Sequence, residues 1–336
     1  MDDATVRAIC ELFDLGAPRG APEPVAGGLT NRLWRLETNR GAFAVKEMNR
    51  DPARADYVAW FDRAFILEQA AFRGGIAMPR PVPVTASGRC LGELLDGQIT
   101  VRVHWWVEGA RLENSAVYAT EVAARVAVIL ANIHSLGIAT PVTIDQALRI
   151  VGEEHWRALA DRAESIAADW AQEFRRLLPA LAELEGYLAL AHNDATPLLL
   201  SHRDADKKNF MRSPSGTLIL VDWDAAGPVN PRHDVANEAL VWAGVHLSDP
   251  DATLAPAFVD AYRRAAGTND RFQWTDLAEL VSLRLGWLDF NVRRALGERA
   301  RDGSDQQQGI NVVRRNVEQL PRFARSLDAW LSVLAD

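Results

Sequence analysis

The first hundred residues alternate apolar and polar positions at short range. Residues 23–38, "EPVAGGLTNRLWRLET", read as a strand, a glycine-containing turn and a second strand. In the second strand Trp34 and Leu36 fall on one face and Leu33, Arg35 and Glu37 on the other. Residues 41–48 and 99–106 predict two more strands, residues 4–15 a short helix, and residues 53–73 a longer helix that stops at "GG" before "MPRPVP". Beyond a connector at 107–113 the period changes to that of helices. These are expected at about 114–136, 144–188 with a break near Pro179, 232–247, 253–266, 274–300 and 310–334, with a polar loop at 301–309. Two short strand candidates, 197–201 and 217–223, interrupt the helical part and flank the charged stretch "HRDADKKN", with "RSPSG" (212–216) as a turn. The expected organisation is a β-rich lobe over 1–104, a hinge over 105–110, and a helical lobe over 111–336, the layout of a nucleotide-binding cleft between two lobes. The fold class is α+β and bilobal.

Composition narrows this picture. The chain has 336 residues and is 48% hydrophobic and 24% charged, an ordinary globular balance for two lobes. No apolar run reaches the roughly 18 residues that span a bilayer, and the start has neither the basic nor the apolar region of a secretory signal. Cys10 and Cys90 are too few for a disulfide framework and are expected as reduced thiols in the cytoplasm. No Cys/His spacing suggests structural zinc. Residues 1–103 balance 13 acids with 13 bases, so the whole net charge of −8 falls on 104–336. That acidity argues against nucleic acid and is compatible with a cationic small-molecule partner, or with solubility alone. The only lysines are Lys46, Lys207 and Lys208, whereas 34 basic residues are arginine. A compact ammonium is therefore kept at three places, two of them in the charged stretch.

The stretch itself spells His-Arg-Asp and, 5 residues after Asp204, Asn209; Asp222 ends an apolar run 13 residues further on. Alone, such a stretch is an ordinary solvated turn. Together with Lys46 in a strand of the other lobe it has the parts that phosphoryl transfer needs. One carboxylate receives or orients the proton of an attacking hydroxyl, and an amide oxygen and a second carboxylate suit Mg²⁺, a hard cation.

These residues resemble the kinase-like superfamily, and within it the aminoglycoside phosphotransferase family, over nearly the whole chain. "GGLTNRLWRL" is similar to its phosphate loop, "FAVKE" to its strand with the nucleotide lysine, "ANIHSLG" to a helix end, and "DWDAAGPVNPRHDVA" to its metal-aspartate segment. The resemblance implies Asp204 as catalytic base or hydroxyl-orienting carboxylate, and Asn209 and Asp222 as Mg²⁺ ligands. It implies Lys46 on the α/β-phosphates of ATP (or GTP), paired with Glu68 of the following helix. Gly28 and Thr30 would belong to the phosphate loop, Trp105 and Val107 would offer backbone groups to the base, and Asp234 would buttress the catalytic loop.

Three departures stand out. Asp206 replaces the lysine that protein kinases carry two residues after the catalytic aspartate, which leaves the roles of Lys207 and Lys208 open. The metal segment is Asp-Trp-Asp, and about ten residues separate it from the next helix, too few for a peptide-binding activation loop. The expected acceptor is a cationic antibiotic, an aminoglycoside or a basic peptide antibiotic of the viomycin or capreomycin type, its phosphorylation giving resistance. Asp161, Glu164 and Asp289 are candidate contacts for its ammonium groups, and Trp223, Trp242, Trp274 and Trp287 candidate pocket walls. The alternatives are a metabolic kinase for choline, homoserine or a sugar, and a nucleotide-binding pseudokinase. The sequence is silent on oligomeric state.

Overall fold

The computed structural model describes residues 1–26, 31–49, 57–95, 97–112, 120–247 and 249–335. In chain order its elements are α1 (Asp3–Leu12), β1 (Glu23–Val25), β2 (Arg32–Thr38), β3 (Gly41–Glu47), α2 (Tyr57–Arg73), β4 (Pro81–Val82), β5 (Gly92–Leu94), β6 (Ile99–Trp105) and β7 (Ala110–Arg111). Then follow α3 (Thr120–Ser135), α4 (Ile144–Ala147), α5 (Glu153–Ser165), α6 (Ala171–Arg176), α7 (Leu178–Ala191), β8 (Leu199–Ser201), β9 (Phe210–Arg212), β10 (Leu218–Leu220) and β11 (Gly227–Val229). Four helices close the chain: α8 (Pro231–Trp242), α9 (Leu254–Ala266), α10 (Ala278–Ala295) and α11 (Gly303–Ala335).

Packing divides the chain into two compact units. One holds Met1–Ala116 with Asp204–Gly227, the other Val117–Arg203 with Pro228–Asp336. Residues 204–227, expected with the helical lobe, thus pack with the first unit. The cause is local pairing. β9 pairs antiparallel with both β10 and β7, and the Leu220 N–H donates to the Ala77 carbonyl at 2.9 Å. The backbones approach closely here: a Cβ added at Gly109 would lie 2.9 Å from the Arg212 carbonyl oxygen.

The sheet of the first unit runs β1-β2-β3-β6-β4, with β5 also on β6, and every pairing is antiparallel. Period-2 alternation gives it two unlike faces. Leu36, Phe43, Val45, Val101 and Val103 point to one face and bury against Val6, Ile9, Cys10 and Phe13 of the α1 region. Lys46, Arg102 and His104 fall on the other, and Lys46 and Arg102 are direct cross-strand partners.

The second unit is helical, with α3 packed on α9 and α10 on α11. The long helix expected over 144–188 is four helices. Gly152 at φ +85° precedes α5, Ala167 at φ +52° follows it, and Pro179 sits in the first turn of α7. The loop expected over 301–309 is mostly helix. Asp302 Oδ1 accepts from the Asp305 N–H at 2.9 Å and opens α11 there, while the buried Asp305 carboxylate binds Arg294 and Arg301. Among the described residues no helix is long and apolar enough to cross a membrane.

Candidate active site

The charged face of the sheet is organised around Arg102, which is 1% exposed in the middle of strand β6. Its guanidinium fork spans two carboxylates, with one NH2 group on Glu68 Oε2 at 2.6 Å and the other on Asp224 Oδ1 at 2.5 Å. It also lies over the Phe61 ring, 5.1 Å from the centroid. Glu68 is fully buried on the inner face of α2 and receives His104 Nε2 on its other oxygen at 2.9 Å.

The expected Lys46–Glu68 pair is therefore not the one that forms. Lys46 Nζ donates to Asp222 Oδ1 at 2.7 Å and to Asp224 Oδ2 at 3.0 Å. Arg102 stands directly opposite Lys46 in the register, its side chain is longer, and its planar fork suits a carboxylate better than an ammonium does, so it takes the helix glutamate. Burial by itself would raise the pKa of Glu68, but Arg102 and His104 outweigh it and hold the carboxyl below its ordinary range. Burial would likewise depress the Lys46 ammonium. The carboxylates of Asp222 and Asp224 outweigh that, against an opposing push from Arg102, so its pKa is raised and the amine stays charged.

The hairpin of β9 and β10 delivers the other half. Leu220 pairs with Phe210, and one step on the Val221 N–H donates to the Asn209 carbonyl at 2.8 Å, which sets Asn209 and Asp222 at the same end of the hairpin. Asn209 ends a 3-10 turn (Lys207–Asn209) whose first N–H bonds the Asp206 side chain at 2.6 Å. The Asn209 side-chain NH2 donates to both the carbonyl and Oδ2 of Asp204, each at 2.8 Å. Its Oδ1 takes no hydrogen bond from any described residue. Lys208 Nζ reaches Asp204 Oδ1 at 2.9 Å. Burial raises the pKa of Asp206, with Lys208 opposing. Asp222 adopts φ +62°, a left-handed conformation that a non-glycine residue holds only when its surroundings enforce it.

An amide oxygen and a carboxylate at one hairpin end are the hard oxygen donors that Mg²⁺ prefers, and the two together leave positions for phosphate oxygens and water. Among the described residues no group of three His, Cys, Asp or Glu forms a denser metal site. The residues fit a nucleotide-bound divalent ion better than a closed protein cage.

Other expected groups are placed as follows. The Trp105 N–H is used in the sheet, donating to the Arg80 carbonyl at 2.9 Å, while the Val107 N–H has no partner among the described residues. Gly28 and Thr30 lie outside the described residues. Within the second unit Arg203, at φ +62°, is fixed by Glu279 at 2.6 Å. Asp234 accepts from Ser201 at 2.5 Å and bonds His134 at 3.0 Å, beside the strand that precedes the charged stretch. Three expected acceptor contacts are engaged internally: Asp161 and Glu164 both bind Arg175, and Asp289 binds His155 and Arg293. Trp223 and Trp242 are buried in the core. Trp274 stacks on Tyr187 with centroids 4.4 Å apart, and Trp287 stacks on Phe290 at 5.6 Å.

The sequence reading passed over Arg102, Asp224 and Asn31, whose Nδ2 donates to Asp224 Oδ2 at 2.8 Å. A signal was present for the first. An arginine inside "ITVRVHW" is out of place unless a buried carboxylate meets it.

The model of the phosphotransferase enzyme family matches residues 22–280. The chain belongs to that family. It is an enzyme, a phosphotransferase, and its sheet-bearing first part and helical remainder are those of kinase-like proteins. Among curated proteins none matches the sequence at a significant level. Among solved structures the phosphotransferase is similar to a spectinomycin phosphotransferase in complex with ADP and spectinomycin, with TM-score 0.63 and 12% identity over 96% of this chain and 98% of that one. It is also similar to an amicoumacin kinase in complex with AMP-PNP and Ca²⁺ (TM-score 0.62, 15% identity, 98% and 94% covered). A third is the ethanolamine kinase of Plasmodium vivax (TM-score 0.61, 16% identity, 97% and 91% covered).

Proposed function

We propose that this phosphotransferase moves the γ-phosphoryl group of ATP (or GTP) to a hydroxyl of a small cationic molecule. The observation that carries the reading is the contact of Lys46 with Asp222 at 2.7 Å, at the hairpin end where Asn209 turns its amide nitrogen to Asp204. Asp204 accepts or orients the proton of the acceptor hydroxyl, because its carboxylate is one-third exposed and held in place by Asn209 and Lys208. Asn209 Oδ1 and the Asp222 carboxylate would hold Mg²⁺, which would supply positive charge against the phosphates. Lys46 holds the α/β-phosphates, which replace one of its two carboxylate partners. The connector at 105–110, with the unengaged Val107 N–H, serves the nucleotide base, and the phosphate loop includes Gly28 and Thr30. The enzyme acts in the cytoplasm, consistent with two free, buried cysteines.

A cationic antibiotic is the favoured acceptor, with resistance as the consequence. Its support is the net charge of −8 carried by residues 104–336, together with similarity to enzymes named for spectinomycin and amicoumacin. Similarity to an ethanolamine kinase favours a second reading, a metabolic kinase for an amino alcohol. A screen of aminoglycosides, basic peptide antibiotics, amino alcohols and sugars with Mg-ATP, read by the mass gained by the acceptor, decides between them. Transfer to an antibiotic and not to ethanolamine or choline supports the first reading; the reverse replaces it with the second.

A further inference from the structure

Lys46 has two carboxylate partners, and they differ in exposure. Asp222 is 47% exposed in its side chain and Asp224 only 20%. Asp224 Oδ1 is taken by Arg102, its Oδ2 is shared by Lys46 and Asn31, and its carbonyl accepts from Trp60 Nε1 at 3.0 Å. Asn31 is held in turn by the Asn49 N–H, which donates to its Oδ1 at 2.9 Å. Arg102 is anchored at its far end by Glu68, which is itself fully buried and bonded to His104.

We propose that Asp224, locked by Arg102, is the carboxylate that positions Lys46 for the nucleotide phosphates, and that Glu68 serves one step back as the counter-ion of Arg102. This rests on the phosphotransferase reading and moves to Asp224 the task expected of Glu68. A carboxylate that shares its oxygens with a divalent cation is a poor anchor for an ammonium, because the two cations repel. Asp222 is the group offered to that cation, so a lysine tied to Asp222 alone would lose its anchor on loading. Asp224 has both oxygens committed to protein cations and donors, so it keeps Lys46 in place. Arg102 fixes Asp224 and satisfies Glu68 at once, which a single ammonium, lacking the fork, does not do as well. Arg102 and Asp224 are thus positioning residues that act through Lys46.

The test is a double-mutant cycle on the full chain, with the dissociation constant for Mg-ATP read by titration calorimetry and folding by thermal melting. Asp224→Asn is expected to weaken Mg-ATP by about tenfold or more, the scale of one charge-assisted hydrogen bond. In a Lys46→Met background the same substitution is expected to cost no further affinity, because the group it positions is gone. Glu68→Gln is expected to lower Tm and to weaken Mg-ATP less than Asp224→Asn does. Arg102→Lys, which keeps the charge and loses the fork, runs through the same cycle if Asp224→Asn fails to fold. Equal losses in the wild-type and Lys46→Met backgrounds, or a larger loss from Glu68→Gln than from Asp224→Asn, would overturn the proposal. A wild-type chain that binds no Mg-ATP at all overturns the phosphotransferase reading beneath it, a separate and recognisable result.

Discussion

Asp204 carries the proposed proton transfer, so Asp204→Ala should lower kcat by about 10²- to 10⁴-fold, the usual range for a positioned acid–base group, and leave Mg-ATP affinity close to that of the wild type. Steady-state kinetics with calorimetry checks both halves. Glu68 supplies a pH-dependent prediction. Its folded pKa lies below the ordinary glutamate value of 4.5, so its contribution to stability is complete above that value and is lost as pH falls through the folded pKa. Tm of the wild type should therefore drop on acidification below about pH 4.5, and drop less steeply in Glu68→Gln. Burial pushes the Cys90 thiol up to about 12 and raises Cys10 as well. Neither should react with a thiol reagent until the chain is unfolded. Residue types and spacing singled out Asp204, Asn209, Asp222 and Lys46, and the fold sets Lys46 against Asp222 and Asn209 against Asp204. The Lys46–Glu68 pair was not, since spacing along the chain cannot show that Arg102 lies across the strand and outcompetes the lysine.

The hairpin of β9 and β10 is the element that makes a site out of separate motifs. Its register sets Asn209 and Asp222 at one end, and its pairing to β7 ties this segment to the connector. Gly109 lies where that pairing is tightest. Gly109→Ala places a methyl 2.9 Å from the Arg212 carbonyl, so the backbones must part. We expect a loss of about 1–3 kcal/mol, seen as a lower Tm, with the Mg-ATP constant weakened in the fraction that remains folded. Strands such as β2, β3 and β6 were readable because alternation over seven residues is a strong signal. The two-residue strands β4 and β7 were not, because two residues carry no period. The helical stretch 144–188 was over-read as one helix with a single break: apolar spacing persists through α5, α6 and α7, while the turns at Gly152 and Ala167 depend on backbone conformation that spacing does not encode.

For the molecule as a whole, family membership and fold are secure in the sequence itself, since the family model spans residues 22–280. The acceptor is less legible. The acids singled out along the chain, Asp161, Glu164 and Asp289, are bound to arginine and histidine of their own unit, so a count of charge overstates what is free to meet a cation. In the proposed reading acceptor choice falls to side chains of the helical part, where helical periodicity records burial and not chemistry. The most direct measurement of the central claim is the mass of an acceptor incubated with Mg-ATP and either the wild-type chain or Asp204→Ala. Addition of one phosphoryl group to a cationic hydroxyl compound by the wild type, with loss of nearly all transfer in the variant, is the predicted result. No transfer to any compound of the panel, or equal transfer by both proteins, would contradict it.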